Sequence, residues 1–155
     1  MGQAAGAVAG VSLLPYLDGV HWLLPAGWAA QLPGLAAGLR GSVTLAEGAA
    51  AEFVLGMALS LAVLYASDSE SALFQLLLPC VGTLLAVTAG AAYTGPSLNP
   101  ALAFGFQSLH ATHTPAVHAA VYWAAPLAAG LAAGWTYAGA KAFFSGAKPQ
   151  HAKTD

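Results

Sequence analysis

Between Ser71 and Ala140 the chain carries no aspartate, glutamate, lysine or arginine. A surface made of such a stretch does not suit water, so the run confines this part of the chain to a hydrocarbon environment. The run is not uniformly apolar. Gly95, Pro96, Ser97 and Leu98 interrupt it and lead into Asn99-Pro100-Ala101, and Asn99 is the sole asparagine among the 155 residues. An apolar stretch of about ten residues, Pro100 to Leu109, follows, roughly half of what spans a bilayer. This pattern predicts a half-helix that enters the membrane without crossing it. Its positive N-terminal dipole end and unpaired N–H groups would face mid-membrane, with the Asn99 amide as an oriented donor. Such an arrangement points to a pore.

Composition agrees with the membrane class. Hydrophobic residues make up 58% of the chain and charged ones 6%, against about a quarter charged in ordinary soluble domains. A net charge of -2 implies no electrostatic partner and no nucleic acid. Cys80 stands alone in an apolar run, where a buried structural thiol is expected, with no disulfide or metal spacing around it. No Lys or Arg precedes the first apolar segment, which disfavours a cleaved secretory signal.

Three full spans are expected at Ala49–Ala66, Ala72–Ala92 and Ala119–Ala140, each near the length of about 20 residues that a hydrocarbon core demands. A shorter apolar segment, Gln3–Leu17, looks like a span whose beginning is missing. A long loop, Asp18–Gly48, follows it and carries Trp22 and Trp28; Glu47, near the loop's end, is read as a solvated loop charge. The domain is expected to cover residues 1–147, and a polar, cytosolic tail 148–155, with Lys148 and Lys153 voting for the cytosolic side. Glycines four apart, Gly2, Gly6 and Gly10, and again Gly130 and Gly134, are spaced for close helix contact. His110, His113 and His118 have spacings that admit a metal site or a pH gate, but no cysteine or carboxylate lies nearby to complete a ligand set. They are read as interfacial, with no metal and no cofactor. No phosphate loop, paired carboxylates or nucleophile with a base appears, so an enzyme is not expected.

Thr94-Gly95-Pro96-Ser97-Leu98-Asn99-Pro100-Ala101-Leu102-Ala103-Phe104-Gly105 resembles the second Asn-Pro-Ala loop of the aquaporin (major intrinsic protein) family. Gln3 to Gly10 is similar to the family's third span, Gly48-Ala49-Ala50-Ala51-Glu52 to the start of its fourth, and Tyr122-Trp123-Ala124-Ala125-Pro126 to its sixth. The proline before the loop serine most resembles the plant and algal small basic intrinsic proteins, with animal superaquaporins close behind. The resemblance implies an all-α membrane protein, an aquaporin-like helical bundle. Of its two inverted repeats this chain would hold the second, three full spans plus one re-entrant half-helix, after a truncated preceding span. The first repeat is missing, so the chain is expected to be a fragment of the full pore.

The function implied is passive transport of water or small neutral solutes. Asn99, Pro100 and Ala101 would line the constriction with the carbonyls of Gly95, Pro96, Ser97 and Leu98. Glu52 would accept hydrogen bonds from the loop backbone and hold Asn99 in place. The family's outer filter falls here on Val87, Pro96 and Leu102. Leu102 departs from the usual arginine and leaves an apolar ring with Val87, which favours slow water passage or solutes such as hydrogen peroxide or glycerol-sized molecules. The implied partners are the lipid bilayer, the solute, and a homo-tetramer or an assembly with a full-length relative. The implied location is the endoplasmic reticulum or another internal membrane. The competing expectation is a non-conducting half-protein that binds full-length relatives, or an inactive truncated product.

Overall fold

The computed structural model of the protein describes residues 2–13, 37–110 and 113–146. Those residues form helices and connecting turns, with no strand among them. The helices are α1 (Gly2–Leu13), α2 (Leu45–Ser67), α3 (Ala72–Gly90), α4 (Pro100–His110) and α5 (Pro115–Gly146). Three of them, α2, α3 and α5, are long and apolar enough to cross a membrane. At 11 residues, α4 reaches about 16 Å, half of a crossing.

Local chemistry sets the helix ends. Thr44 and Glu47 form a capping box at the start of α2: the Thr44 hydroxyl accepts from the Glu47 N–H at 3.3 Å, and the Glu47 carboxylate accepts from the Thr44 N–H at 2.8 Å. This corrects two expectations. The helix begins at Leu45 rather than Ala49, and Glu47 is an exposed helix cap rather than a loop charge. Ser71 caps α3, and Thr114 caps α5 with Pro115 in the first turn, where a missing N–H costs nothing. The last helix therefore starts before Ala119 and runs past Ala140, and it carries a π-helical turn at Ala120–Ala124. Most of the expected loop, 18–36, and the whole tail, 148–155, lie outside the described residues.

α2 packs on both α3 and α5, and α1 packs on α4. The contacts use small residues. A Cβ at Gly56 of α2 would lie 3.3 Å from the Ala129 Cβ of α5, and one at Gly105 of α4 would lie 2.9 Å from the Ala7 backbone of α1. The glycine stripes expected to do this do not: nothing among the described residues comes within 4 Å of a Cβ built at Gly2, Gly6, Gly10, Gly130 or Gly134. On α5 the buried stripe is Ala125, Ala129 and Ala133. A 3.6-residue period turns Gly130 and Gly134 about 100° away from it.

The interior is inverted relative to a soluble protein. The largest fully buried side chains are Tyr122, Glu52, Val121 and Thr94, whereas Leu73, Leu84, Leu85 and Trp135 stand exposed. Apolar surface this extensive belongs against lipid. Cys80 is exposed on α3 as well, contrary to the buried thiol expected, because apolar surroundings in a membrane helix mark its outside as readily as its core. At the other end of the bundle Asp68 accepts from Lys141 and Tyr137 of α5, and these hydrogen bonds hold its carboxyl below the usual range.

Gly56→Leu is expected to force α2 from α5 and to lower stability by about 1–3 kcal/mol. The midpoint of thermal unfolding in detergent micelles measures this, and an unchanged midpoint contradicts the packing described.

Candidate functional site: a loop held by a buried carboxyl

The chain leaves α3 through a turn at Tyr93 and Thr94, runs through Gly95 to Leu98 without regular structure, and re-enters helix at Pro100. Two residues of this loop take left-handed backbone angles, Gly95 and Leu98, both with φ of 52°. Glycine does so freely; for leucine it costs about 1–2 kcal/mol. Glu52 offsets that cost from the third turn of α2. Its Oε2 accepts from the Leu98 N–H at 2.9 Å, while Oε1 accepts from the Ser97 N–H at 3.0 Å and the Thr94 hydroxyl at 2.9 Å. Glu52 and Thr94 are fully buried, so these hydrogen bonds are shielded from water.

A second set of bonds holds the loop from behind. The Thr94 carbonyl accepts from the Tyr122 hydroxyl at 2.7 Å and from the Gly38 N–H at 2.8 Å, and the Tyr93 carbonyl accepts from the Arg40 N–H at 2.9 Å. Residues 37–40 thus lie as a strap along the loop's first residues. The π-helical turn of α5 contains Tyr122, which is buried there beside Val121. Local helical irregularities of this kind often mark functional positions.

Asn99 closes the loop and opens α4. Its side-chain Oδ1 accepts from the Ala101 N–H at 2.9 Å, and its carbonyl accepts from the Ala103 N–H at 3.1 Å and the Ser97 hydroxyl at 2.7 Å. With Oδ1 committed, the orientation of the amide is fixed. Its Nδ2 donates to nothing among the described residues, and Asn99 is exposed. The carbonyls of Gly95, Pro96, Ser97 and Leu98 likewise accept no hydrogen bond from the described residues. Among the described residues the loop therefore presents a row of unpaired acceptors followed by one oriented donor at a helix N-terminus.

Of the three positions expected to form a filter, Pro96 packs on α3, since a Cβ at Gly90 would meet the Pro96 ring at 2.6 Å. Val87 lies one turn earlier on α3 and Leu102 in the first turn of α4, both exposed. The Ser97 hydroxyl donates to the Asn99 carbonyl and to no carboxylate or imidazole among the described residues. No group of three or more metal-ligating side chains occurs among the described residues. His113 and His118, whose spacing admits a shared site although they are read as interfacial from sequence, are brought together at 2.8 Å. Sequence reasoning also missed Thr94, Tyr122 and the strap. Tyr122 stands in a recognised segment, but nothing in the residue order says that its hydroxyl reaches a carbonyl 28 residues earlier.

Comparison with known proteins adds an independent observation. The family described as Major intrinsic protein matches residues 1–137. The chain is 34% identical over 137 residues to Aquaporin SIP1-1 of Oryza sativa subsp. japonica, covering 87% of this chain and 52% of that protein. Aquaporin SIP1-2 of Zea mays gives the same identity and coverage. Aquaporin SIP1-1 of Arabidopsis thaliana is 32% identical over 113 residues, 72% of this chain and 46% of its own length. The chain spans about half the length of the curated relatives it matches.

Glu52→Gln is expected to set an amide N–H against one of the loop's donors and to cost about 1–3 kcal/mol. Amide exchange at Ser97 and Leu98 should accelerate with it. Tyr122→Phe, which leaves Thr94's carbonyl its bond from Gly38, should cost about 1 kcal/mol. Equal stability of Glu52→Gln and the parent protein in micelles contradicts the bracing role.

Proposed function

Because the chain belongs to the major intrinsic protein family, we propose that its pore loop forms one half of a channel for water or small neutral solutes. The chain is an integral, multi-pass membrane protein, with three helices able to cross a bilayer. The observation that carries the proposal is the row of carbonyls from Gly95 to Leu98 that accept nothing among the described residues, ending at the Nδ2 of Asn99. Unpaired backbone at membrane depth is tolerated where it lines a water-filled cavity. Passing water would give its hydrogens to those carbonyls and accept from Asn99, so it exchanges bulk hydrogen bonds for oriented ones. The dipole at the start of α4 disfavours cations at the same point. Pro100 and Ala101 complete that first turn.

A single-file constriction on this plan takes a second, inverted half-helix opposite Asn99. Val87, Pro96 and Leu102 form this segment's share of the wider entrance in the reading. Leu102 brings no charge and no donor there, which favours neutral solutes such as hydrogen peroxide or glycerol-sized molecules and lowers water conductance by dewetting. An internal membrane, the endoplasmic reticulum first, is the proposed location, and a tetramer or an assembly with a full-length relative the proposed form. Transport, rather than catalysis, is the activity.

In vesicles holding the native polypeptide that carries this segment, Asn99→Ala is expected to reduce osmotic water or peroxide flux by about threefold to tenfold, the value of one oriented hydrogen bond. Fluxes identical to those of the parent protein contradict a role for Asn99 at the constriction.

A further inference from the structure

α2 and α3 pack on each other, but they do not close along their whole length. Near the start of α2 they leave a groove of about 390 Å³, lined by Ala50, Ala51, Val54 and Leu55 of α2 and by Ala89 of α3. A second hollow of about 230 Å³ shares Leu55 and Ala89 with it and continues toward Leu59 and Gly82. There the helices meet, since a Cβ at Gly82 would lie 3.4 Å from the Leu59 side chain. Small residues leave the gap open: Ala51 and Ala58 on one side, Ala86 and Ala89 on the other.

The length of the groove fits one leaflet. Glu47 to Leu59 covers about 18 Å of helix, against about 15 Å for half of a hydrocarbon core. The groove is therefore as deep as one acyl chain is long. It also lies away from the loop. Gly48, Glu52 and Gly56 are the buried stripe of α2, against the loop and α5, whereas Glu47, Val54 and Ala58 stand about 120–160° around the helix from Glu52. Val54 and Leu85 along its walls are exposed, so the groove opens toward lipid.

Its polar groups gather at one end. Glu47 stands in the first turn of α2, at the level where the span meets the membrane surface. Its Oε2 accepts from the Thr44 N–H and from the Thr44 hydroxyl, each at 2.8 Å, while its Oε1 accepts nothing among the described residues. A carboxylate in this position is ionised at neutral pH. Tyr93, just past the end of α3, lines the same mouth and is exposed, and its hydroxyl donates to nothing among the described residues. An anion and an uncommitted hydroxyl thus sit above an acyl-length apolar groove. Their complement is a headgroup that brings a cation with N–H donors and a phosphate that accepts.

We propose that the groove between α2 and α3 binds a phospholipid with a primary ammonium headgroup, a phosphatidylethanolamine. Its acyl chain lies along Ala51, Leu55 and Ala58, its ammonium donates to Glu47 Oε1, and its phosphate accepts from the Tyr93 hydroxyl. A choline headgroup brings the charge without an N–H, so it forgoes the charge-assisted hydrogen bond. A glycerol headgroup leaves the lipid anionic and meets Glu47 as a like charge. The site is independent of what passes the loop.

Native mass spectrometry tests the preference. The native polypeptide that carries this segment is reconstituted in nanodiscs of equal parts phosphatidylethanolamine, phosphatidylcholine and phosphatidylglycerol, then moved into mild detergent, and the lipid it retains is counted. Retained phosphatidylethanolamine should exceed each of the others by about threefold to tenfold, the value of one partly exposed charge-assisted bond. Glu47→Gln keeps an oxygen for the Thr44 cap, because a capping box accepts glutamine, and should bring the preference over phosphatidylcholine to parity. Ala89→Phe fills the groove from an exposed position on α3 and should lower retention of phosphatidylethanolamine to the level of the other two lipids. Phosphatidylethanolamine with a diazirine on its acyl chain should label residues 50–59 and 82–89 above the rest of the lipid-facing helices. A parent protein without preference, a preference unchanged in Glu47→Gln or in Ala89→Phe, or label spread evenly over α2, α3 and α5 overturns the proposal. So does a second protein chain seated on this face, seen as chain-to-chain cross-links from a photoreactive group at Val54 in place of lipid adducts.

Discussion

Backbone that stops being helical inside a bilayer must find partners for its N–H groups, and here one carboxyl supplies three of the hydrogen bonds that make the loop stable. Glu52 accepts from Thr94, Ser97 and Leu98, and in doing so it holds Leu98 in a left-handed conformation that leucine would otherwise avoid. Because the carboxyl satisfies the N–H groups of Ser97 and Leu98, the carbonyls of those two residues accept nothing among the described residues. The pairing is thus asymmetric. A buried acceptor with two oxygens consumes N–H groups and leaves acceptors over, which is the polarity needed to receive hydrogens from a passing hydroxyl-bearing solute.

The rest of the bundle serves that position. Thr94 joins two networks: its hydroxyl donates to Glu52, and its carbonyl accepts from Tyr122 and Gly38. α2, α5 and the strap therefore meet at one residue just before the loop. Small residues bring the helices close enough for this, as at Gly56 against Ala129 and Gly90 against Pro96. The apolar bulk faces outward, where lipid replaces the core that a soluble protein would need. On the loop's far side α4 starts at Asn99 and Pro100 and rests on α1 through Gly105 and Ala7.

Much of this was legible in the residue order, and the reasons differ from element to element. The uncharged run, its single asparagine and the short apolar segment after it identified the half-helix, because length against bilayer thickness is a hard limit. Glu52 stood out because an ionisable group within a span is costly. The start of α2 was placed four residues late because apolar content was followed there, whereas the capping box of Thr44 and Glu47 sets the boundary. Helix packing misled in a similar way. The visible glycine stripes face away from the described neighbours, while the working contacts use alanines that look like filler in so alanine-rich a chain. Contacts over long sequence distances, such as Tyr122 to Thr94 or His113 to Ala37, carry no local signal at all.

The central claim is that the loop's carbonyls and the Asn99 amide face a solute path. A structure of the native polypeptide in a lipid bilayer, at a resolution that shows ordered water, tests it most directly. The account predicts waters within hydrogen-bonding distance of the Gly95 to Leu98 carbonyls and of Asn99 Nδ2, with Glu52 still bonded to Ser97 and Leu98. Carbonyls paired to protein groups, or closed off from water with Asn99 turned to another protein partner, would contradict it.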